Sequence, residues 1–148
     1  RTVLIGYVHG CIREMKELLE AICFDQQSDR LVLVGDVVGK GPETQQVIQY
    51  AMELGALCVR GNHDDVLIKY HRAHIAKEPG AEPPRLKPSY IEIAESLTEA
   101  QWKYLLDMPL FLRLEDMNAI VVHAGVIPTT PLEGQVRPHA GSLLFYRG

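Results

Sequence analysis

The N-terminal half of the chain alternates short apolar runs with amphipathic segments, and each apolar run leads into a glycine-bearing turn. Residues 2–6 (TVLIG), 30–35 (RLVLVG) and 56–60 (ALCVR) have the length and β-branched content of buried strands. Between the first two, residues 13–24 place Met15, Leu18, Leu19 and Ile22 at i, i+3, i+4, i+7, the stripe of an amphipathic helix. After the second, Pro42 suits a first helical turn, and Val47, Ile48, Ala51 and Met52 line one face up to a stop at Gly55. A helical pattern through Val66, Leu67 and Tyr70 follows the third. Strand, helix, strand, helix, strand predicts βαβ units on a parallel sheet, an α/β fold.

The second half is punctuated differently. Residues 77–88 (KEPGAEPPRLKP) hold four prolines and a glycine and predict a loop. A helix over 89–97 follows, then a capping box of Thr98 and Gln101 ahead of a helix with Trp102, Leu105 and Leu106, stopped by Pro109. Residues 110–114 and 119–123, joined by the polar EDMN, read as a β-hairpin. Residues 128–148 carry no periodicity and are expected to be an irregular tail of a single domain spanning 1–148.

Chemistry gathers at the turns. GYVHG (6–10), GDVVGKG (35–41) and GNHD (61–64) follow three successive strands, and VVHAG (121–125) ends the hairpin. Parallel strands bring such turns to one carboxyl edge, where open α/β sheets bind ligands. Each turn alone is unremarkable: GD ahead of a helix is a common N-cap, and GN is a common turn. Together they deliver His9, Asp36, Asn62, His63 and His123, a mixture of imidazole, carboxylate and amide suited to manganese, iron or zinc.

The series resembles the calcineurin-like metallophosphoesterases, whose motifs run GDxHG, GDxxDRG, GNHE/D and HxG, and within them the branch of ApaH-like phosphatases, where KGP replaces DRG. The resemblance covers residues 2 to about 131. It implies a β-sandwich flanked by helices, with the C-terminal sheet incomplete here. It also implies two divalent metal ions: His9 on the first, Asp36 bridging, Asn62 and His123 on the second. His63 would protonate the leaving oxygen, and Lys40 and Arg60 would hold phosphate. The activity implied is hydrolysis of phosphoanhydride or phosphoester bonds, in nucleoside polyphosphates or capped RNA ends. The alternative is a pseudoenzyme of the same fold that binds nucleotide, RNA end or protein.

Three departures bear on this. Tyr7 stands where the family has a first-metal aspartate, and a neutral phenol is a poor ligand near neutral pH. Gly39 replaces the aspartate that orients the acid histidine, so His63 is expected to be less basic and less fixed in tautomer. That loss matters less for a polyphosphate leaving group, which favours nucleotide substrates over phosphoproteins. The family's later Gly-His motif is absent; His139 lies in the tail. His71 and His74, three apart on a helix, read as an exposed face rather than a ligand pair.

A net charge of −4 leaves no global attraction for nucleic acid or anionic lipid, so an anionic substrate needs a local positive site. No stretch approaches the roughly 20 apolar residues of a membrane helix. Cys11, Cys23 and Cys58 are odd in number and form no CxxC, so a reducing, cytoplasmic setting is expected.

Overall fold

The computed structural model describes residues 1–132 and 134. Strands β1 (Thr2–Ile5), β2 (Arg30–Leu33) and β3 (Leu57–Cys58) form a parallel sheet in the order β1-β2-β3. Thr2 pairs with Arg30 and Ile5 with Leu33, which aligns the strand ends and hence the turns that follow them. Helix α1 (Ile12–Ala21) joins β1 to β2, and α2 (Thr44–Glu53) joins β2 to β3. Helix α3 (Asn62–Tyr70) starts directly after the third turn.

Alternation along β2 divides the core. Leu31 and Leu33 face the helices and join Met15, Leu19, Val47, Ile48, Leu67 and Leu105 in the main core. Val32 and Val34 face the other way and pack with Val59 against Leu114 and Val121 of the hairpin. That hairpin, β4 (Phe111–Leu114) with β5 (Ala119–Val122), turns through a 3₁₀ segment at Glu115–Met117 and a left-handed Asn118. The molecule is therefore layered as helices, parallel sheet, then hairpin, as the α/β sandwich expectation requires. Leu4 alternates onto the hairpin side and is 49% exposed, so β1 is covered on one face only.

Several element boundaries differ from expectation: Pro42 lies ahead of α2, whose N-cap is Glu43, and three further shifts stand out. Helix α1 ends at Ala21 rather than near Phe24, because Cys23 adopts φ 51° while Phe24 N–H bonds Leu19 O and Cys23 N–H bonds Glu20 O. This is a Schellman stop built without glycine. Strand β3 is two residues long because Arg60 N–H turns away to Pro109 O. The helix continues past Tyr70 by widening into a π-helical turn at His71–Ile75, where Ala76 N–H reaches back to His71 O.

After the proline-rich loop come α4 (Pro88–Ser96) and α5 (Glu99–Leu106). The capping box at Thr98 and Gln101 is present as expected, with Gln101 N–H on the Thr98 hydroxyl and Thr98 N–H on Gln101 Oε1. His71 departs from expectation: it is half-buried, its ring 4.7 Å from that of Trp102, while His74 stacks on Tyr70 in the open. Residues 135–148, including His139 and most of the expected irregular tail, lie outside the described residues. Among the described residues, no helix is long and apolar enough to cross a membrane.

Candidate metal and phosphate site

The three turns are stitched to one another by backbone. His9 N–H bonds Asp36 O and Gly10 N–H bonds Val37 O, which locks the first turn onto the second. The third turn is held by Asp64, whose buried carboxylate accepts the N–H groups of Asp36, Val37, Val38 and Gly61 at 2.8–3.2 Å. Burial raises the Asp64 carboxyl to about 6, against the downward pull of its backbone donors. Gly61 is required by this close approach: a Cβ there would run into the carboxylate and amide of Asp36.

Tyr7, His9, Asp36 and Lys40 all have left-handed backbones, with φ between 48° and 58°. For side chains with a Cβ this conformation is uncommon and costs about 1–3 kcal/mol each, and it clusters at functional sites.

Two histidines are fixed in tautomer by carbonyls. His9 Nδ1 donates to Val38 O at 3.1 Å, and His123 Nδ1 donates to Val34 O at 2.8 Å. With its proton on Nδ1, each ring directs Nε2 to the cleft, the tautomer a metal ligand needs, and His9 Nε2 meets the Lys40 ammonium there. Asp36 Oδ2 lies between them, 3.7 Å from His9 Nε2 and 3.6 Å from His123 Nε2, and Asp36 is only 2% exposed. Asn62 Oδ1 sits 3.1 Å from His123 Nε2. An imidazole lone pair facing an amide oxygen and a carboxylate oxygen is a set of acceptors that lacks a positive centre. Cations satisfy it, so these residues fit divalent metal. His9, Asp36 and His63 also offer ligand atoms within 4.8 Å of one another.

Lys40 places its ammonium on His9 Nε2 at 3.1 Å, so the cleft holds a positive charge of its own. Arg60 is engaged elsewhere: its guanidinium donates to Met108 O at 3.0 Å and lies 3.5 Å from Asp65, with Nε buried and without a partner among the described residues. Tyr7 is 65% exposed, and its ring leans over those of His9 and His123, with centroids 5.9 and 5.5 Å away.

His63 N–H donates to Asp36 Oδ1 at 2.9 Å, which fixes the residue at the start of α3. Burial is the largest cause that lowers its basicity; Asp36 opposes this, and His9, Lys40 and His123 add to it. The reduced basicity was expected, but from the lost aspartate rather than from burial. The ring is nevertheless held, because the Tyr90 hydroxyl bonds His63 Nδ1, a partner that accepts either tautomer. Burial keeps that phenol neutral, raised above its ordinary value.

The structure thus brings His9, Asp36, Asn62, His63, His123 and Lys40 together, and directs the Arg60 side chain towards α3 and the end of α5. Sequence reasoning missed Tyr90, which lies 27 residues beyond His63 across a proline-rich loop and has no motif to mark it. It also gave no role to Asp64, although an acid at the third position of a helix is a recognisable capping signal.

Comparison with known proteins agrees with this geometry. A family model for calcineurin-like phosphoesterases matches residues 1–139. A symmetrical bis(5'-nucleosyl)-tetraphosphatase of Psychromonas ingrahamii is 36% identical over 130 residues, covering 86% of this chain and 45% of that protein. Its counterpart in Serratia proteamaculans is 34% identical over 134 residues, covering 89% and 45%. The chain thus spans somewhat under half the length of these curated relatives. A crystal structure assigned as a diadenosine tetraphosphatase superposes with a TM-score of 0.75 at 35% identity, covering 89% of this chain and 53% of that one. A metallophosphoesterase from Sphaerobacter thermophilus shares the fold, with a TM-score of 0.53 at 19% identity over 76% of this chain and 42% of that one. With the strand-end turns, their ligand-type side chains and the family match all in agreement, the chain belongs to the calcineurin-like phosphoesterases.

Proposed function

We propose that this cleft hydrolyses phosphoanhydride bonds in nucleoside polyphosphates with the help of two divalent cations. The observation that carries the reading is the placement of Asp36 Oδ2 between the Nε2 atoms of His9 and His123. His9 with Asp36 would hold one cation, and Asn62 and His123 with Asp36 the other. Manganese, iron and zinc all suit this donor set. When bound, such a pair supplies Lewis-acid polarisation of the phosphoryl group and lowers the pKa of a water.

The chain's own residues do the rest. Lys40, exposed at the cleft and already directed inward, meets a phosphate oxygen as a point charge. Arg60 would add a planar fork only by giving up Met108 O and Asp65. His63, with Nδ1 occupied, has Nε2 left to donate to the departing oxygen. Burial disfavours its charged form, so less of it stands protonated to serve a poor leaving group. A nucleotide leaves well without full protonation, which suits a polyphosphate better than a phosphoserine. The relatives' described activity on bis(5'-nucleosyl) tetraphosphates points to the same class. A capped RNA end carries the same phosphoanhydride chemistry, and the three unpaired cysteines fit a reducing compartment.

The test is turnover with manganese on diadenosine tetraphosphate and on a phosphoserine peptide, with products resolved. Cleavage confined to the dinucleotide, and abolished by chelator, supports the reading. Equal turnover of both substrates, or cleavage indifferent to chelator, overturns it.

A further inference from the structure

The geometry points to Tyr90 as the positioning residue of His63, filling by its hydroxyl the place that Gly39 leaves empty of a carboxylate. The inference rests on the phosphoesterase reading of the cleft and deepens it. Tyr90 is fixed near the start of α4, where Pro88 opens the helix and Tyr90 N–H bonds Lys87 O at 2.9 Å. Its side chain packs against the main core and ends on His63 Nδ1, the two rings 6.0 Å apart and inclined by 33°.

Gly39 and Tyr90 form one device. A Cβ on Gly39 would collide with the Tyr90 hydroxyl, and would stand 3.0 Å from Tyr90 Cζ and 3.1 Å from His63 Nδ1. The volume in which a side chain at position 39 would meet His63 is therefore the volume the phenol occupies. Gly39 also has φ +88°, a backbone that other residues adopt only under strain. A tyrosine can reach this point because position 39 has no side chain.

The exchange has a chemical consequence. A carboxylate only accepts, so it would pin the proton on Nδ1 and favour the imidazolium. A hydroxyl both donates and accepts. It holds Nδ1 whether or not that nitrogen carries a proton, and it adds no negative charge. The ring stays oriented, Nε2 remains the nitrogen free to meet the leaving oxygen, and the site is kept for leaving groups that need a hydrogen bond more than a proton.

The test reads the ring nitrogens directly. Imidazole ¹⁵N shifts of the whole chain are recorded without metal for the wild type, for Tyr90→Phe, and for Tyr90→Ala carrying Gly39→Asp. Tyr90→Phe should move the His63 nitrogens and leave those of His9 and His123 in place, since the latter bond backbone carbonyls. The double substitution should place the proton on Nδ1 of His63. In manganese-dependent turnover, Tyr90→Phe should lower kcat roughly 10-fold at unchanged KM, part of the ~10²–10⁴ that a positioned acid contributes. The loss should grow with poorer leaving groups. Unmoved His63 nitrogens in Tyr90→Phe overturn the proposal, as does a loss of turnover that appears entirely in KM. A wild-type chain that cleaves no phosphoanhydride would defeat the functional reading alone, because the nitrogen shifts still decide the pairing.

Discussion

Asp64 holds the cleft together without facing any ligand. Its carboxylate gathers backbone N–H groups from the second and third turns, including the amide of Asp36 itself. Asp64→Ala would orphan four buried donors, and chemical denaturation should show a loss of about 3 kcal/mol or more, at the upper end for a single substitution. A loss below about 1 kcal/mol would mean that these amides find other partners. Tyr7 poses the opposite question, since its exposed ring leans over the candidate ligands His9 and His123 at the position where the GDxHG pattern has its aspartate. Tyr7→Asp should add an oxygen donor beside His9, and calorimetric manganese titration should show tighter binding by about tenfold or more, since each added charged ligand commonly strengthens a hard-cation site. Unchanged affinity would show that the phenol is accommodated at the metal site.

At the scale of elements, the turns depend on glycines where backbones cross. A Cβ on Gly35 would meet Gly61 N and His123 Nδ1, both at 2.7 Å, so Gly35→Ala should disrupt the His123 bond to Val34 O. Overpacking of this kind costs about 1–3 kcal/mol, and the stability loss should be joined by weakened metal binding. Thr98→Ala, far from the cleft, should cost about 1 kcal/mol through its lost cap and leave metal binding untouched. Equal effects of the two on metal titration would contradict the division between site and scaffold. The comparison also shows what could be read in advance. Strands, α2 with its Gly55 stop, the capping box and the hairpin all have local signals, and all appear. The end of α1 does not, because a cysteine takes the left-handed position that glycine usually marks. Tyr90 was illegible for a different reason: its role comes from packing of α4 onto α3, which no spacing in the chain encodes. Arg60 was placed by motif, yet its guanidinium answers to the nearer carboxylate of Asp65.

For the whole molecule, the site exists only where the parallel sheet and the hairpin meet. His9, Asp36 and Asn62 come from turns after β1, β2 and β3, whereas His123 arrives at the end of β5, anchored to Val34 O across the layer boundary. A cation held by these groups would tie the two layers together and should stabilise the fold as a unit. Manganese at about 100 times its dissociation constant should add about 2.7 kcal/mol, which for a chain of this size raises Tm by roughly 8 °C. Absence of any rise would place the cation outside the interface. If Asp36 serves both cations, calorimetric counting of bound manganese should find two ions per wild-type chain and a weaker affinity for both in Asp36→Asn. A substitution that removes one ion and leaves the other at full affinity, or that changes neither, would contradict it.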